Sequence, residues 1–254
     1  MLINLDRSAD RLASFVPQIN KLQLDYSRVR AVDGDQLDLD EIPLYSRSKT
    51  WARIGRQLAN AEVGCFLSHL QCLNKFLLDD ADACLILEDD LEFDVCARDL
   101  VDETCRWVSN NKSPAVDLVH LSRPVKKLYR VNPTGRPKLD DAGLSYSPYL
   151  PMTTGAILWT RSGATAFLRD AQLIDAPFDE YLQAWSAQRG LSYGFLKPPA
   201  RQSDATSLIQ TDRNRTKQHR GLVGPALHFL NRLPVYGRAY AKARLRFSNG
   251  SGAT

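Results

Sequence analysis

Three adjacent acids carry the clearest chemical signal in the sequence. In CLILEDDLEF, residues 84–93, a mostly apolar run leads directly into Glu88, Asp89 and Asp90. Adjacent carboxylates repel one another and are costly to bury unpaired, so a positive partner is expected beside them. Mg²⁺ and Mn²⁺ take oxygen ligands, commonly one or two carboxylates together with substrate phosphates. The triplet therefore predicts a divalent-cation site that also binds a phosphorylated substrate; the alternative is a turn of solvated surface acids.

The elements around the triplet alternate between strands and helices. Apolar residues at helical spacing predict helices over 8–22, with Ser8 as its cap, and over 61–79. A helix is also expected over 177–190, and a strand, a turn and a helix over 153–171. Further strands are expected at 2–5, before the acids, at 117–122 and from 191, whereas 35–60 and 123–148 are interpreted as loops. Such alternation is typical of α/β proteins with a mostly parallel sheet, in which ligands bind beyond the C-terminal ends of the strands.

Length and composition indicate a globular protein. The chain has 254 residues, of which 44% are hydrophobic, which suits one large domain or two small fused subdomains. It contains no apolar run long enough to span a bilayer, and its N-terminus lacks a signal-peptide pattern. The five cysteines form no CxxC motif. Together these features favour a cytoplasmic protein with reduced thiols.

Charge is distributed unevenly along the chain. From Arg213 onward there are nine Lys or Arg residues and no acid, whereas residues 1–212 carry 24 basic and 29 acidic residues. This predicts a catalytic domain over 1–212 and a basic tail over 213–254 whose partner is an anionic membrane surface or glycolipid. Nucleic acid is not expected, because no binding motif accompanies the charge. Pro234 and Gly237 argue against one continuous helix in the tail, and a disordered tail is the alternative.

Several sequence blocks, taken together and in order, resemble glycosyltransferase family 25, which includes bacterial lipooligosaccharide galactosyltransferases and their collagen-modifying relatives. They span about residues 2–210 and leave the basic tail outside. The blocks are INLDRSADR (3–11), AVDGDQL (31–37), AEVGCFLSHL (61–70), CLILEDDLEF (84–93), TTGAILWTRSGA (153–164) and PFDEYL (177–182).

The resemblance implies a GT-A-like fold, with a single Rossmann-like, mostly parallel sheet and flanking helices. It also implies a UDP-sugar donor, commonly UDP-galactose, and Mn²⁺ or Mg²⁺ as cofactor, with the acidic triplet in place of the family's DxD-type motif. By that analogy Asp90 is the main metal ligand and Glu88 assists, whereas strand alternation points Asp89 away. His219 is the candidate third ligand, with a solvated basic segment as the alternative.

The same resemblance suggests which residues contact the donor. Alternative interpretations are a solvated helix arginine for Arg11, a plain tight turn for Gly34 and a structural helix histidine for His69. The predicted donor-binding residues are Asn4, Leu5, Asp6, Arg7, Arg11, Asp33, Gly34, His69, Asp89, Thr154 and Gly155.

The implied reaction is an inverting transfer of galactose, or of glucose, to a glycan such as the lipopolysaccharide core. Asp179 is the expected base, with Glu180 behind it; the alternative is a pair of acids that stabilise the start of a helix. The enzyme is expected on the inner face of the cytoplasmic membrane. Two other functions fit the same residues, namely a metal-dependent phosphate hydrolase and a non-catalytic membrane-surface adaptor.

Overall fold

A computed structural model describes residues 1–110, 115–203 and 223–248. The strands are β1 Leu2–Asn4, β2 Arg28–Arg30, β3 Ala83–Glu88, β4 Leu91–Phe93, β5 Leu118–His120, β6 Arg130–Val131, β7 Leu144–Tyr146, β8 Ala156–Thr160, β9 Ser192–Phe195 and β10 Ala200–Gln202. The helices are α1 Ala9–Lys21, α2 Arg47–Ile54, α3 Asn60–Leu77, α4 Ala97–Asn110, α5 Pro137–Asp141, α6 Arg161–Asp170, α7 Phe178–Arg189 and α8 Val223–Ser248.

Eight strands form one central sheet in the order β2-β1-β3-β8-β5-β9-β7-β6, and β4 pairs with β10 in a separate ribbon. β1 runs parallel to β2 and β3, and β5 runs parallel to β9, whereas β8 lies antiparallel between β3 and β5. Among the described strands of this sheet, only β8 and β7 oppose the common direction. The predicted α/β, GT-A-like architecture is confirmed.

Both faces of the sheet are covered, which explains why its central strands are apolar throughout. All five residues of β8 are buried. Along that strand Ile157 and Trp159 pack on the side of α3, α6 and α7, whereas Leu158 packs on the side of α1 and α4. Successive side chains of a strand point to opposite faces, so a strand covered on both sides needs apolar residues at every position.

Several predictions about local structure were wrong. The predicted loop 35–60 contains α2 and two short 3₁₀ helices, Gly34–Gln36 and Leu39–Glu41, and the predicted loop 123–148 contains β6, α5 and β7. Ser8 precedes α1 but makes no capping side-chain hydrogen bond. Ser46 does cap α2, which ends at Gly55 in the left-handed conformation, with φ +67°. The serine cap and the terminal glycine of α2 are visible in the sequence, but they are short polar signals without the apolar periodicity that predicts a helix.

The C-terminal helix also differs from the expectation. α8 runs without a break through Pro234 and Gly237. It packs against α2 and α7, and Ala239 and Ala243 are buried in that contact region. Tertiary packing thus outweighs the local cost of proline and glycine. No described helix is long and apolar enough to cross a membrane. The boundary at residue 212 stays a prediction, because it lies outside the described residues.

Candidate active site

Nine of the predicted site residues converge at the C-terminal ends of β1 and β3. The two strands are parallel, and Ile3 is opposite Glu88 in their register. A cavity opens at this edge, walled by the β1 end, α1, α3 and the acidic triplet. The predicted residues that line it are Asn4, Leu5, Arg7, Arg11, Gly34, His69, Glu88, Asp89 and Asp90.

Glu88 ends β3 with its carboxylate held by two side chains. Oε1 accepts a hydrogen bond from Thr154 Oγ1 at 2.6 Å and lies 3.0 Å from His69 Nε2. Burial alone would raise the pKa of this carboxyl, but the contacts with His69 and Thr154 outweigh burial and hold the pKa below its ordinary value. Glu88 is therefore a fixed carboxylate rather than a mobile surface acid.

Asp89 faces the β1 side and binds protein groups. Its Oδ2 accepts from Asn4 Nδ2 at 2.6 Å, and its Oδ1 pairs with Arg11 Nη2 at 2.5 Å. Burial raises the pKa of Asp89, and these two contacts oppose that rise. Asn4 in turn accepts from Arg28 Nε at 2.9 Å. Asp89 therefore ties the triplet to β1 and α1, and both of its oxygens have partners.

Asp90 is the acid with unused binding capacity. It is 8% exposed, and its Oδ1 has no hydrogen-bond partner among the described residues. Oδ2 lies 3.3 Å from Gln202 Nε2 and 3.5 Å from Arg11 Nη2, both long contacts. Burial, and then the charge of Glu88, raise the pKa of Asp90 to about 6. A buried carboxylate oxygen without a partner is costly, and a cation would satisfy it.

The donor set therefore fits a hard divalent cation. Glu88 and Asp90 offer carboxylate oxygens at the edge of one cavity, as Mg²⁺ and Mn²⁺ require. A different trio, Cys65, His69 and Glu88, has its ligand atoms within 4.8 Å of one another. Sulfur and nitrogen suit Zn²⁺ better, and burial raises the pKa of the Cys65 thiol well above its usual value. His219 lies outside the described residues, so its predicted ligand role stays a prediction.

The loop after β1 carries ion pairs at the rim of the cavity. Arg7 contacts Asp33 at 3.0 Å and also binds Asp35. Asp6 pairs with Arg28 at 2.6 Å, and this contact lowers the pKa of Asp6. Asp6 and Asp33 line an adjoining hollow that Arg7 shares with the main cavity. Asp33 therefore orients Arg7, whereas Asp6 binds Arg28, and both acids lie outside the lining of the main cavity.

Gly34 and Gly155 have specific packing roles. A Cβ at Gly34 would lie 2.6 Å from the backbone nitrogen of Ala61, so only glycine lets this turn approach the start of α3. A Cβ at Gly155 would lie 2.6 Å from Leu91 Cδ2. The carbonyl of Gly155 accepts from the Glu88 amide at 2.8 Å. Thus the segment before β8 fixes the end of β3 through its backbone as well as through Thr154.

The predicted base lies at the start of α7. Phe178 stacks on His69 with ring centroids 4.1 Å apart, which brings this helix start beside the Glu88 side of the site. Asp179 Oδ1 accepts from the backbone nitrogen of Glu180 at 2.8 Å. Glu180 itself binds His228 of α8 at 2.8 Å and lines a separate small hollow. Neither acid is among the residues that line the main cavity.

Comparison with known proteins assigns the chain to a family. Residues 1–182 match the model of glycosyltransferase family 25, described as an LPS biosynthesis protein. The chain belongs to glycosyltransferase family 25. This match includes the cavity wall, the acidic triplet and the start of α7.

Curated relatives of this family 25 protein differ in activity. Procollagen galactosyltransferase 1 of Danio rerio is 28% identical over 197 residues, which is 71% of this chain and 30% of that protein. A protein of Bos taurus named probable inactive glycosyltransferase 25 family member 3 is 29% identical over 196 residues, again 71% of this chain and 30% of that protein. The matches thus span about a third of the length of these relatives.

Sequence reasoning missed three contributors to this family 25 site. Gln202 reaches Asp90 because β10 pairs with β4, placing Gln202 opposite Leu91. Arg28 supports Asn4 from β2, and Phe178 packs on His69. No sequence motif connects them to the acidic triplet, so only the strand pairings and the packing of α7 on α3 could identify them.

Proposed function

We propose that this family 25 member transfers galactose, or glucose, from a UDP-sugar to a glycan acceptor of the lipopolysaccharide core type, with Mn²⁺ or Mg²⁺ as cofactor. The observation that carries the proposal is the partnerless, buried Oδ1 of Asp90, next to the fixed carboxylate of Glu88. That pair faces a cavity at the C-terminal strand edge, where α/β sheets bind ligands.

Each residue of the acidic triplet has a separate role in the proposed reaction. Glu88 and Asp90 would hold the cation, which when bound offsets negative charge on the leaving diphosphate. His69 and Thr154 hold Glu88 in one orientation. Asp89 takes no part in holding the cation, since Asn4 and Arg11 occupy its oxygens.

The acceptor hydroxyl would attack the anomeric carbon from the face opposite the diphosphate, so that the bond from its oxygen to the sugar forms as the bond from the sugar to UDP breaks, with inversion. Asp179 would take the proton of that hydroxyl. Asp179 is favoured over Glu180 by position, because Glu180 lines a separate small hollow beside His228, whereas Phe178, next to Asp179, stacks on His69. An acceptor linked to a glycolipid would be met at the inner face of the cytoplasmic membrane. The names of several relatives support transfer of galactose, whereas others carry the word inactive. The presence of Glu88 and Asp90 at the cavity favours an active enzyme.

Calorimetric titration of UDP tests the donor site. We expect binding in the presence of Mn²⁺, none with a chelator, and loss of the metal-dependent part in Asp90→Asn. Asp99→Asn is the matched control, because Asp99 is a surface acid that pairs with Lys138 and does not line the cavity. This variant should bind UDP as the parent does. Equal UDP affinity with Mn²⁺ and with chelator would show that no such cation site operates.

The products formed from UDP-galactose then separate transfer from phosphate hydrolysis. Transfer to a glycan releases UDP, whereas hydrolysis of the diphosphate releases UMP and galactose 1-phosphate. A transferase consumes UDP-galactose at a rate that depends on added glycan acceptor. Formation of UMP and galactose 1-phosphate, independent of acceptor, would favour the phosphate-hydrolase function. Binding of UDP without any consumption across a panel of acceptors and sugars would favour the non-catalytic adaptor.

A further inference from the structure

α8 packs on the protein along one side and exposes the opposite side to solvent. One side of α8 is fixed, since Asn231 Nδ2 donates to the carbonyls of Ala52 and Arg53 at 2.7 and 2.9 Å. Ala239 is 0% exposed on this same side. The opposite side is therefore held in a definite orientation toward solvent.

That opposite side is apolar. Of the twelve exposed large hydrophobic side chains in the described part of the chain, seven belong to α8. Their spacing of three and four residues places most of them along one stripe of the helix. The stripe, called here the outer face, consists of Phe229, Leu230, Leu233, Tyr236 and Tyr240, which are 65%, 58%, 51%, 44% and 50% exposed. A solvated helix surface normally carries charges at such positions, so the outer face indicates a partner.

Charge identifies the kind of partner. α8 contains five cationic residues and no acid, and the chain from Arg213 onward has nine cations and no acid. Arg232 and Arg246 point to the body, where they bind Gln183 and Tyr193. Arg238 and Arg244 are exposed. An apolar and aromatic stripe on a helix that carries cations and lacks acids is typical of segments that lie in the surface of an anionic bilayer.

We propose that the outer face of α8 lies on an anionic lipid bilayer, with the helix parallel to the membrane plane. This inference rests on the proposed function. The bilayer on which α8 lies would be the surface that carries the lipid-linked acceptor. A second copy of the chain is the less favourable occupant, because two acid-free helices would bring like charges together. A spanning orientation does not fit, since α8 is not apolar enough to cross.

The geometry also connects this surface to the site. His228, on the docked side of α8, binds Glu180 in the first turn of α7 at 2.8 Å. Arg232 donates to Gln183 one turn further along α7 at 2.8 Å. The bilayer-facing helix and the helix that carries Asp179 are therefore joined by direct side-chain contacts, so the acceptor surface and the predicted base keep a fixed relation.

Vesicle co-sedimentation of the full chain tests the proposal. The variant replaces Phe229, Leu233 and Tyr240 together by Gln, which removes apolar area and keeps helix propensity. Tyr236 is left unchanged because its ring contacts that of Tyr149. We expect the parent to bind vesicles of equal parts phosphatidylglycerol and phosphatidylcholine, and the variant to bind at least about tenfold more weakly. The parent should bind more weakly to vesicles of phosphatidylcholine alone. Added salt should weaken its binding to the anionic vesicles.

Matched controls separate the outer face from general surface effects. Leu78 and Val95 are 90% and 105% exposed and lie outside α8, so their joint replacement by Gln should leave vesicle binding unchanged. Arg238→Gln with Arg244→Gln keeps the apolar stripe and should lower affinity for anionic vesicles only. Equal binding by the parent and the triple Gln variant would overturn the proposal. Absence of parent binding to anionic vesicles would also overturn the proposal. In that case, analytical ultracentrifugation that shows a dimer of the parent and a monomer of the triple variant would assign the outer face to a second copy of the chain.

UDP titration of the same samples keeps the two proposals apart. Loss of vesicle binding with unchanged, Mn²⁺-dependent UDP binding assigns the effect to the outer face. Vesicle binding without any UDP binding would leave the membrane surface in place and reject the donor site.

Discussion

Replacing Thr154 by Val tests whether the hydroxyl of Thr154 orients Glu88. The change keeps the side-chain shape but removes the 2.6 Å hydrogen bond to Glu88 Oε1. A hydrogen bond to a charged group contributes about 1.5–3 kcal/mol, and Thr154 is 7% exposed, so water does not readily replace the lost bond. We expect the free energy of unfolding to fall by about 2 kcal/mol at neutral pH.

Donor affinity should respond as well. If the cation site needs Glu88 in its present orientation, binding to Thr154→Val must first restore that orientation. The cost is similar to the energy of the lost hydrogen bond, about 2 kcal/mol, which corresponds to a UDP affinity at most about thirtyfold weaker. Urea denaturation followed by tryptophan fluorescence gives the stability, and calorimetry with Mn²⁺ gives the affinity. His69 still contacts Glu88 at 3.0 Å, so complete loss of binding is not expected.

Two controls decide whether the hydroxyl is responsible. Thr154→Ser keeps the hydroxyl and should bind UDP nearly as the parent does. Thr165→Val removes a hydroxyl that binds the backbone of α6 on an exposed surface, and should change neither measurement by much. Indistinguishable affinities and stabilities for Thr154→Val and Thr154→Ser would refute the assigned role of the bond.

Three further predictions concern the scaffold around the site. Burial lowers the pKa of His120 from 6.5 to about 4. The unfolded chain therefore binds a proton before the folded chain does, and the free energy of unfolding falls as the pH falls from 6.5 toward 4. His120→Gln removes this group, so thermal melts of the variant should show a smaller loss of stability over that pH range. Arg189→Met leaves the buried carboxylate of Asp117 without its two-bond partner, so urea denaturation should show a loss of about 3–5 kcal/mol, and a loss below 1 kcal/mol would contradict a buried ion pair. Gly34→Ala should lower the free energy of unfolding by about 1–3 kcal/mol and weaken UDP binding. Gly237→Ala is the control, because a Cβ there would meet open space, and its stability should be unchanged or higher by up to about 1 kcal/mol. A greater loss of stability in Gly237→Ala than in Gly34→Ala would contradict the packing assigned to Gly34.

The sequence predicted the elements whose signals are local and apolar. α3 has a long apolar periodicity, and β3 and β8 are short apolar runs covered on both faces, so all three were placed nearly at their observed bounds. α2 and the pair β6 and β7 were missed because their residues are polar or only locally patterned. The continuity of α8 depends on contacts with α2 and α7, which the sequence of the tail does not reveal.

The candidate site divides in the same way. Glu88 and Asp90 were singled out as candidates because acids follow an apolar strand, and the structure places both at a cavity on the strand edge. Their role as metal ligands stays a prediction. Their hydrogen-bond partners were not identifiable as a set. Thr154 lies 66 residues from Glu88, and Gln202 lies 112 residues from Asp90. These contacts arise from the insertion of β8 beside β3 and from the β4–β10 ribbon, which are global features of the sheet.

The position of β8 has a consequence for synthesis of the chain. β1, β2, β3, α1 and α3 all come from the first 88 residues, so the wall that holds Asp89 can assemble early during translation. Thr154, the partner of Glu88 just before β8, emerges only after β4 to β7 have been made, and Gln202 emerges later still. Until then a charged strand end and an open sheet edge are exposed at β3. A nascent chain arrested before residue 154 should therefore be a stronger substrate for chaperones than one arrested after β10.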